Sequence, residues 1–123
     1  FPYTTLFRSV SCAASKAVIQ TILVEDLCEK AVKKEKLFRK LLNHSAIQSI
    51  RGKGLYLAVD VGNSKLNKEI IKTALKNGLI LDDFLFNDHS FRIAPPLIIT
   101  EKEIEKACAV IQQSIDEALN ARL

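Results

Sequence analysis

The 123 residues contain no methionine, three cysteines, three prolines and four glycines. Without methionine there is no initiator, so the expectation is either a cleaved leader or a piece of a longer protein. Cys12, Cys28 and Cys108 are too few and too far apart for a zinc motif. Each falls in an apolar helical pattern, where a small buried thiol is the default. Their odd number favours a reducing compartment. No apolar run approaches the roughly 18 residues that a membrane span requires. Residues 1–9 lack the basic start and apolar centre of a secretory signal. No internal repeat or low-complexity linker is visible.

What remains has the composition of a globular domain, 48% hydrophobic and 26% charged. Lys+Arg 18 against Asp+Glu 14 gives a net charge of +4, which raises the question of nucleic acid. The cations are densest at Lys30, Lys33, Lys34, Lys36, Arg39 and Lys40, interleaved with Glu29 and Glu35. That pattern is a solvated helix face, and no aromatics are interleaved to stack on bases, so no nucleic-acid partner is expected.

Hydrophobic periodicity predicts eight elements. Residues 10–24 form a helix rich in small residues (Ala13, Ala14, Ala17), suited to close packing. Asp26 and Glu29 make a capping-box-like start to a second helix with Leu27, Ala31, Phe38, Leu41 and Leu42 inward. His44 near its end reads as a surface residue. A short strand at 46–50 is followed by a tight turn at Gly52 and Gly54, and then by a strand at 55–61. Leu55, Leu57, Val59 and Val61 alternate there with Tyr56, Ala58 and Asp60, the signature of a half-buried strand. Gly52 and Gly54 do not make a dinucleotide site, because no third glycine opens a helix. Ser64 is expected to cap a third helix carrying Leu66, Ile70, Ile71, Ala74 and Leu75, ended by Gly78.

Residues 79–81 read as a third strand. Asp82, Asp83, Asn87 and Asp88 surround Phe84-Leu85-Phe86 without calcium-loop spacing, so Asx turns are expected and no metal site is. The Phe-Leu-Phe run is either an internal plug or a contact for something absent. His89 reads as a turn residue. Thr100 and Glu103 form a capping box for the last helix, with Ile104, Ala107, Cys108, Ile111, Ile115 and Leu119 inward. The order predicts an α+β two-layer domain, a mostly antiparallel sheet with helices on one face.

The most informative stretch is Phe91-Arg92-Ile93-Ala94-Pro95-Pro96. Side chains alternate on a strand, so Phe91 and Ile93 face one side and Arg92 and Ala94 the other. Two prolines end the strand and fix where Arg92 sits. A guanidinium held this way suits two-pronged capture of a carboxylate or phosphate. By itself the pattern favours a structural ion pair or a solvated arginine over a binding role.

Arg92-Ile93-Ala94-Pro95-Pro96-Leu97-Ile98-Ile99-Thr100-Glu101-Lys102-Glu103-Ile104, preceded by Ile50-Arg51-Gly52-Lys53-Gly54-Leu55, resembles the C-terminal domain of class III aminotransferases. These are the pyridoxal-phosphate enzymes related to acetylornithine and ornithine transaminases, and the likeness runs from about Val10 to Leu119. The resemblance implies the small domain of fold-type I pyridoxal-phosphate enzymes, amino acid and 2-oxo acid substrates, a homodimer formed through a large domain that this chain lacks, and a cytoplasmic setting. It implies that Arg92 binds the substrate α-carboxylate. The Schiff-base lysine and the pyridoxal phosphate contacts lie upstream of Val10 in the family, so no catalytic, cofactor-binding or metal residue is expected here, and the isolated chain is expected to be inactive. Arg51 is expected to pair with a carboxylate of the large domain or to stand in solvent.

Residues 1–9 resemble the conceptual translation of a sequencing adaptor. They are expected to be foreign, with 10–123 as the small domain. A different class, a stand-alone α+β ligand-binding or regulatory module, fits the bare element order as well.

Overall fold

The computed structural model describes residues 3–121. In chain order these form α1 (Tyr3–Val24), α2 (Leu27–Leu41), β1 (Ser49–Lys53), β2 (Tyr56–Asp60), α3 (Ser64–Lys76), β3 (Asp82–Phe84), β4 (Asn87–Ile93) and α4 (Glu101–Asn120). The strands make one antiparallel sheet in the order β1-β2-β4-β3. This is the predicted α+β two-layer domain.

Alternation on the two central strands sets the layers. Leu57 and Val59 of β2 and Phe91 and Ile93 of β4 are buried. They meet Phe38 of α2, Ile70 and Ala74 of α3, and Ile104, Ile111 and Ile115 of α4 in a single core. Burying a side chain the size of Phe91 or Ile93 contributes about 2 kcal/mol. Asn67, buried on α3, ties that helix to β4 by donating from Nδ2 to the carbonyls of Asp88 and Ser90, 3.1 Å each. The opposite face of the sheet carries Arg51, Tyr56, Ala58, Asp82 and Arg92. None of these is buried, so this face is open.

Several boundaries differ from the sequence reading. α1 begins at Tyr3, inside the segment expected to be foreign, and continues without a break to Val24. Ala13, Ala14 and Ala17 are exposed, and among the described residues α2 is the one element that α1 touches. Asp26 is not a side-chain cap. It adopts a left-handed conformation (φ 49°) at the junction of α1 and α2, and its side chain makes no capping hydrogen bond. The cap of α3 is Asn63 rather than Ser64, and its Oδ1 accepts from Leu66 N at 2.9 Å. The capping box of α4 is present as read, with Thr100 and Glu103 bonded reciprocally.

The first strand is Ser49–Lys53 rather than 46–50. Lys53 pairs with Tyr56, which leaves Gly54 and Leu55 as a two-residue hairpin loop. The third strand is Asp82–Phe84 rather than 79–81, so Asp82 and Asp83 lie in the sheet and not in a loop.

Candidate functional site

Arg92 lies on β4 between two strands. Its cross-strand neighbours are Ala58 on β2 and Asp82 on β3, and Ala58 in turn faces Arg51 on β1. Arg51, Ala58, Arg92 and Asp82 therefore form one row across all four strands of the open face. β4 ends at Ile93, immediately before Ala94 and the two prolines, as the missing amide donors require.

The Arg92 guanidinium donates from Nη2 to Asp82 Oδ2. Two rings lie against it, Tyr56 at 6.0 Å and Phe84 at 5.8 Å from ring centroid to Cζ. The rings meet each other edge to face, 6.4 Å between centroids and 89° between planes. An arginine set against two rings gains cation–π attraction from each and loses rotamer freedom. Its side chain keeps 30% of its surface exposed, enough for an anion to reach it from the open face.

Beside it lies a groove of about 310 Å³ lined by Arg51, Gly52, Tyr56, Ala58, Phe84 and Asn87. The small Ala58 leaves room in the middle of the row. Tyr56 also borders a second, larger and mostly apolar groove with Val32, Leu55, Pro95 and Leu97 on the far side of the β1–β2 turn.

Arg51 has a partner within this domain. Its Nη2 lies 3.3 Å from Asp60 Oδ2 on the adjacent strand, while 59% of the side chain stands in solvent. The pair is exposed and contributes little energy.

The strand that carries Arg51 is clamped from below by α2. Glu35 Oε2 accepts from Gly54 N at 2.5 Å, and Glu35 Oε1 accepts from Arg39 Nε at 2.9 Å. Arg39 reaches the carbonyls of Ile50 (2.5 Å, from Nη1) and Gly52 (3.1 Å, from Nη2). The Gly54 amide, together with the Arg39 side chain, holds the Glu35 carboxyl below its ordinary value.

The Phe-Leu-Phe run is divided. Phe84 turns inward over Arg92, whereas Leu85 and Phe86 sit at the tip of the β3–β4 hairpin, with Phe86 97% exposed. Asx geometry is present at Asn87, whose Oδ1 accepts from His89 N at 3.2 Å. Among the described residues no three His, Cys, Asp or Glu side chains gather as a cation site.

His44 is not a plain surface residue. Nδ1 accepts from Ala46 N at 3.1 Å and Nε2 lies 3.0 Å from Asp116 Oδ1 on α4. His89 is exposed, 3.4 Å from Asp88. Cys12 and Cys28 are exposed, contrary to the default; only Cys108 is buried, and burial pushes its thiol up to about 12. Every lysine among the described residues is exposed except Lys34, whose Nζ donates to the Leu97 carbonyl at 2.6 Å.

The sequence pattern singled out Arg92 and missed Tyr56, Phe84 and Asp82 as its surroundings. Tyr56 was legible in principle, since it shares strand parity with Ala58. Asp82 is hidden in the sequence because the apolar run at 79–81 marks the strand just ahead of it.

Residues 7–115 match the family described as Aminotransferase class-III. Acetylornithine aminotransferase of Caldanaerobacter subterraneus subsp. tengcongensis is 34% identical over 113 residues, which is 88% of this chain and 28% of that enzyme. Ornithine aminotransferase of Emericella nidulans is 30% identical over 120 residues, 92% of this chain and 26% of that enzyme. The chain thus spans about a quarter of the length of the curated relatives it matches. Among solved structures, acetylornithine aminotransferase from Elizabethkingia anophelis superposes with a TM-score of 0.76 at 29% identity, covering 86% of this chain and 28% of the other. Ornithine aminotransferase from Toxoplasma gondii, in a structure with partial occupancy of PLP at its active site, gives 0.78 at 26% identity, covering 90% and 28%.

Proposed function

Because the chain belongs to the class-III aminotransferases, we propose that it is the small domain of a transaminase. The parent enzyme moves an amino group between an amino acid of the acetylornithine, ornithine or other ω-amino kind and a 2-oxo acid. Arg92 binds the substrate α-carboxylate. The observation that supports this reading is the placement of Arg92: partly exposed on the open face and set against Tyr56 and Phe84, which with Ala58 line a groove there. A planar fork held in this way takes a carboxylate in two-pronged fashion and sets the orientation of the Cα–H bond. Such orientation supplies several kcal/mol of a barrier, on the order of 7 or more in the best cases.

Pyridoxal phosphate supplies the electron sink for this chemistry when bound to the parent enzyme. The described residues do not fit as its seat. The seat needs an enclosed lysine beside an acidic partner and a cradle of phosphate donors, and the lysines here are exposed or, for Lys34, committed to a carbonyl. The cofactor contacts accordingly belong to the remainder of the parent, read here as a cytoplasmic homodimer.

The test is Arg92→Lys in the full-length enzyme, with kinetic constants for both half-reactions and the cofactor absorbance. Lysine keeps the charge and loses the fork. We expect a raised KM for amino acid and 2-oxo acid and a fall in kcat/KM of about a hundredfold, or about 3 kcal/mol, with cofactor binding nearly unchanged. Intact half-reactions, or loss of cofactor as the main effect, would leave Arg92 a structural residue.

A further inference from the structure

We propose that Asp82 is a built-in competitor for the carboxylate site at Arg92 and sets how tightly the enzyme holds its carboxylate substrates. The inference rests on the reading of Arg92 as the α-carboxylate anchor and adds a residue to that site.

A guanidinium offers two edges at which a carboxylate makes paired hydrogen bonds, Nη1 with Nη2 and Nε with Nη2. Nη2 belongs to both. Asp82 Oδ2 accepts from Nη2, and it is the sole hydrogen-bond partner of Arg92 among the described residues. It therefore closes one edge outright and places a negative charge beside the other. An incoming carboxylate must either displace Asp82 or bind next to it against like-charge repulsion.

The position of Asp82 is not accidental to the fold. It is the direct cross-strand partner of Arg92, so the pleat points both side chains to the same open face. Displacement is physically accessible. Asp82 is on an edge strand of three residues, its side chain is 57% exposed, and its other oxygen, Oδ1, accepts from the neighbouring Asp83 amide at 3.0 Å. Water can solvate the carboxylate once it swings away from the guanidinium. Tyr56 and Phe84 remain beside Arg92 meanwhile, because their contacts with its guanidinium do not depend on Asp82.

A structural role for the same ion pair predicts the opposite sign. If Asp82 merely orients Arg92, removing its charge loosens the guanidinium and weakens substrate binding. The experiment compares four forms of the full-length enzyme with cofactor bound: wild type, Asp82→Asn, Arg92→Lys and the double variant. Glutarate, a non-reacting dicarboxylate, is titrated by calorimetry, and KM and kcat are measured for the amino acid and the 2-oxo acid. Asp82→Asn should tighten glutarate and lower both KM values by about tenfold, leaving kcat within about twofold. Asp82→Ser, which also removes the charge, should act in the same direction. In the Arg92→Lys background the gain should shrink.

Unchanged or weaker glutarate binding in both Asp82 variants, with Arg92→Lys still damaging, overturns the role of Asp82 and leaves the Arg92 reading standing. An Arg92→Lys enzyme that binds glutarate as well as wild type overturns the anchor itself, and the competitor with it.

Discussion

Gly54 donates its backbone N–H to Glu35 Oε2 at 2.5 Å, and this bond fastens the β1–β2 hairpin to α2. The same carboxylate is braced by Arg39, which in turn holds the carbonyls of Ile50 and Gly52. One helix turn thus grips the loop on both sides of Arg51 and Lys53. The open face owes its shape at β1 to this grip.

The grip is pH-dependent, and its sign follows from the depressed Glu35 carboxyl. A carboxyl whose pKa is lower in the folded state contributes stability above its unfolded value, near 4.5, and loses it as pH falls through the folded value. The melting temperature should therefore decline on acidification below about pH 4.5. Glu35→Gln should lower it by about 5 °C at pH 7 and flatten the acid limb. Thermal melts of both proteins from pH 7 to 3 check this. Parallel acid limbs would place the sensitivity elsewhere.

Gly52 is a position where only glycine fits. Its φ is +125°, and a Cβ would lie 2.1 Å from the Tyr56 carbonyl oxygen and 3.0 Å from Leu57 Cα. Gly52→Ala must push β2 aside, and with it Tyr56, one of the rings over Arg92. A loss of about 3 kcal/mol is expected. Gly78 also has a positive φ, 83°, but nothing lies within 4 Å of its added Cβ, so Gly78→Ala should cost about 1 kcal/mol. Urea denaturation midpoints of the two variants distinguish clash from backbone strain.

Local signals are legible in this sequence and non-local ones are not. The alternation of Phe91, Arg92 and Ile93 and the Thr100–Glu103 box depend on residues within a few positions of each other, and both are found in place. Apolar runs are poor markers of the two edge strands. In β1 and β3 the paired residues are largely polar, since an edge strand packs little against the core, while Leu81 is buried just before its strand begins. The run at 79–81 therefore hides Asp82, the cross-strand partner of Arg92. His44 and Asp116 are separated by 72 positions, and no pattern in the chain marks such a pair.

The 123-residue chain by itself is expected neither to hold pyridoxal phosphate as a covalent adduct nor to transaminate, since its lysines are exposed or committed to a carbonyl. Borohydride treatment in the presence of the cofactor, followed by peptide mapping, should give only scattered modification. A stable adduct at one lysine would refute this.

α1 sets the behaviour of the isolated chain. The buried core draws on α2, β2, α3, β4 and α4, and among the described side chains it takes none from α1. Yet α1 exposes Val10, Val18, Ile19, Leu23 and Val24, the last with 83% of its surface bare. Ile19 and Leu23 lie one turn apart and so share a face. Apolar side chains left exposed along a helix favour association over remaining dispersed. The chain should therefore self-associate as its concentration rises. Replacing Ile19 and Leu23 together by glutamate should restore a monomer without lowering the melting temperature, because the core is untouched. Removing residues 1–24 should likewise leave a cooperative transition. Light scattering and thermal melts on the three proteins decide the matter. A well-behaved monomer for the unmodified chain, or loss of the transition on deleting α1, would mean that this helix belongs to the fold in a way its exposure does not suggest.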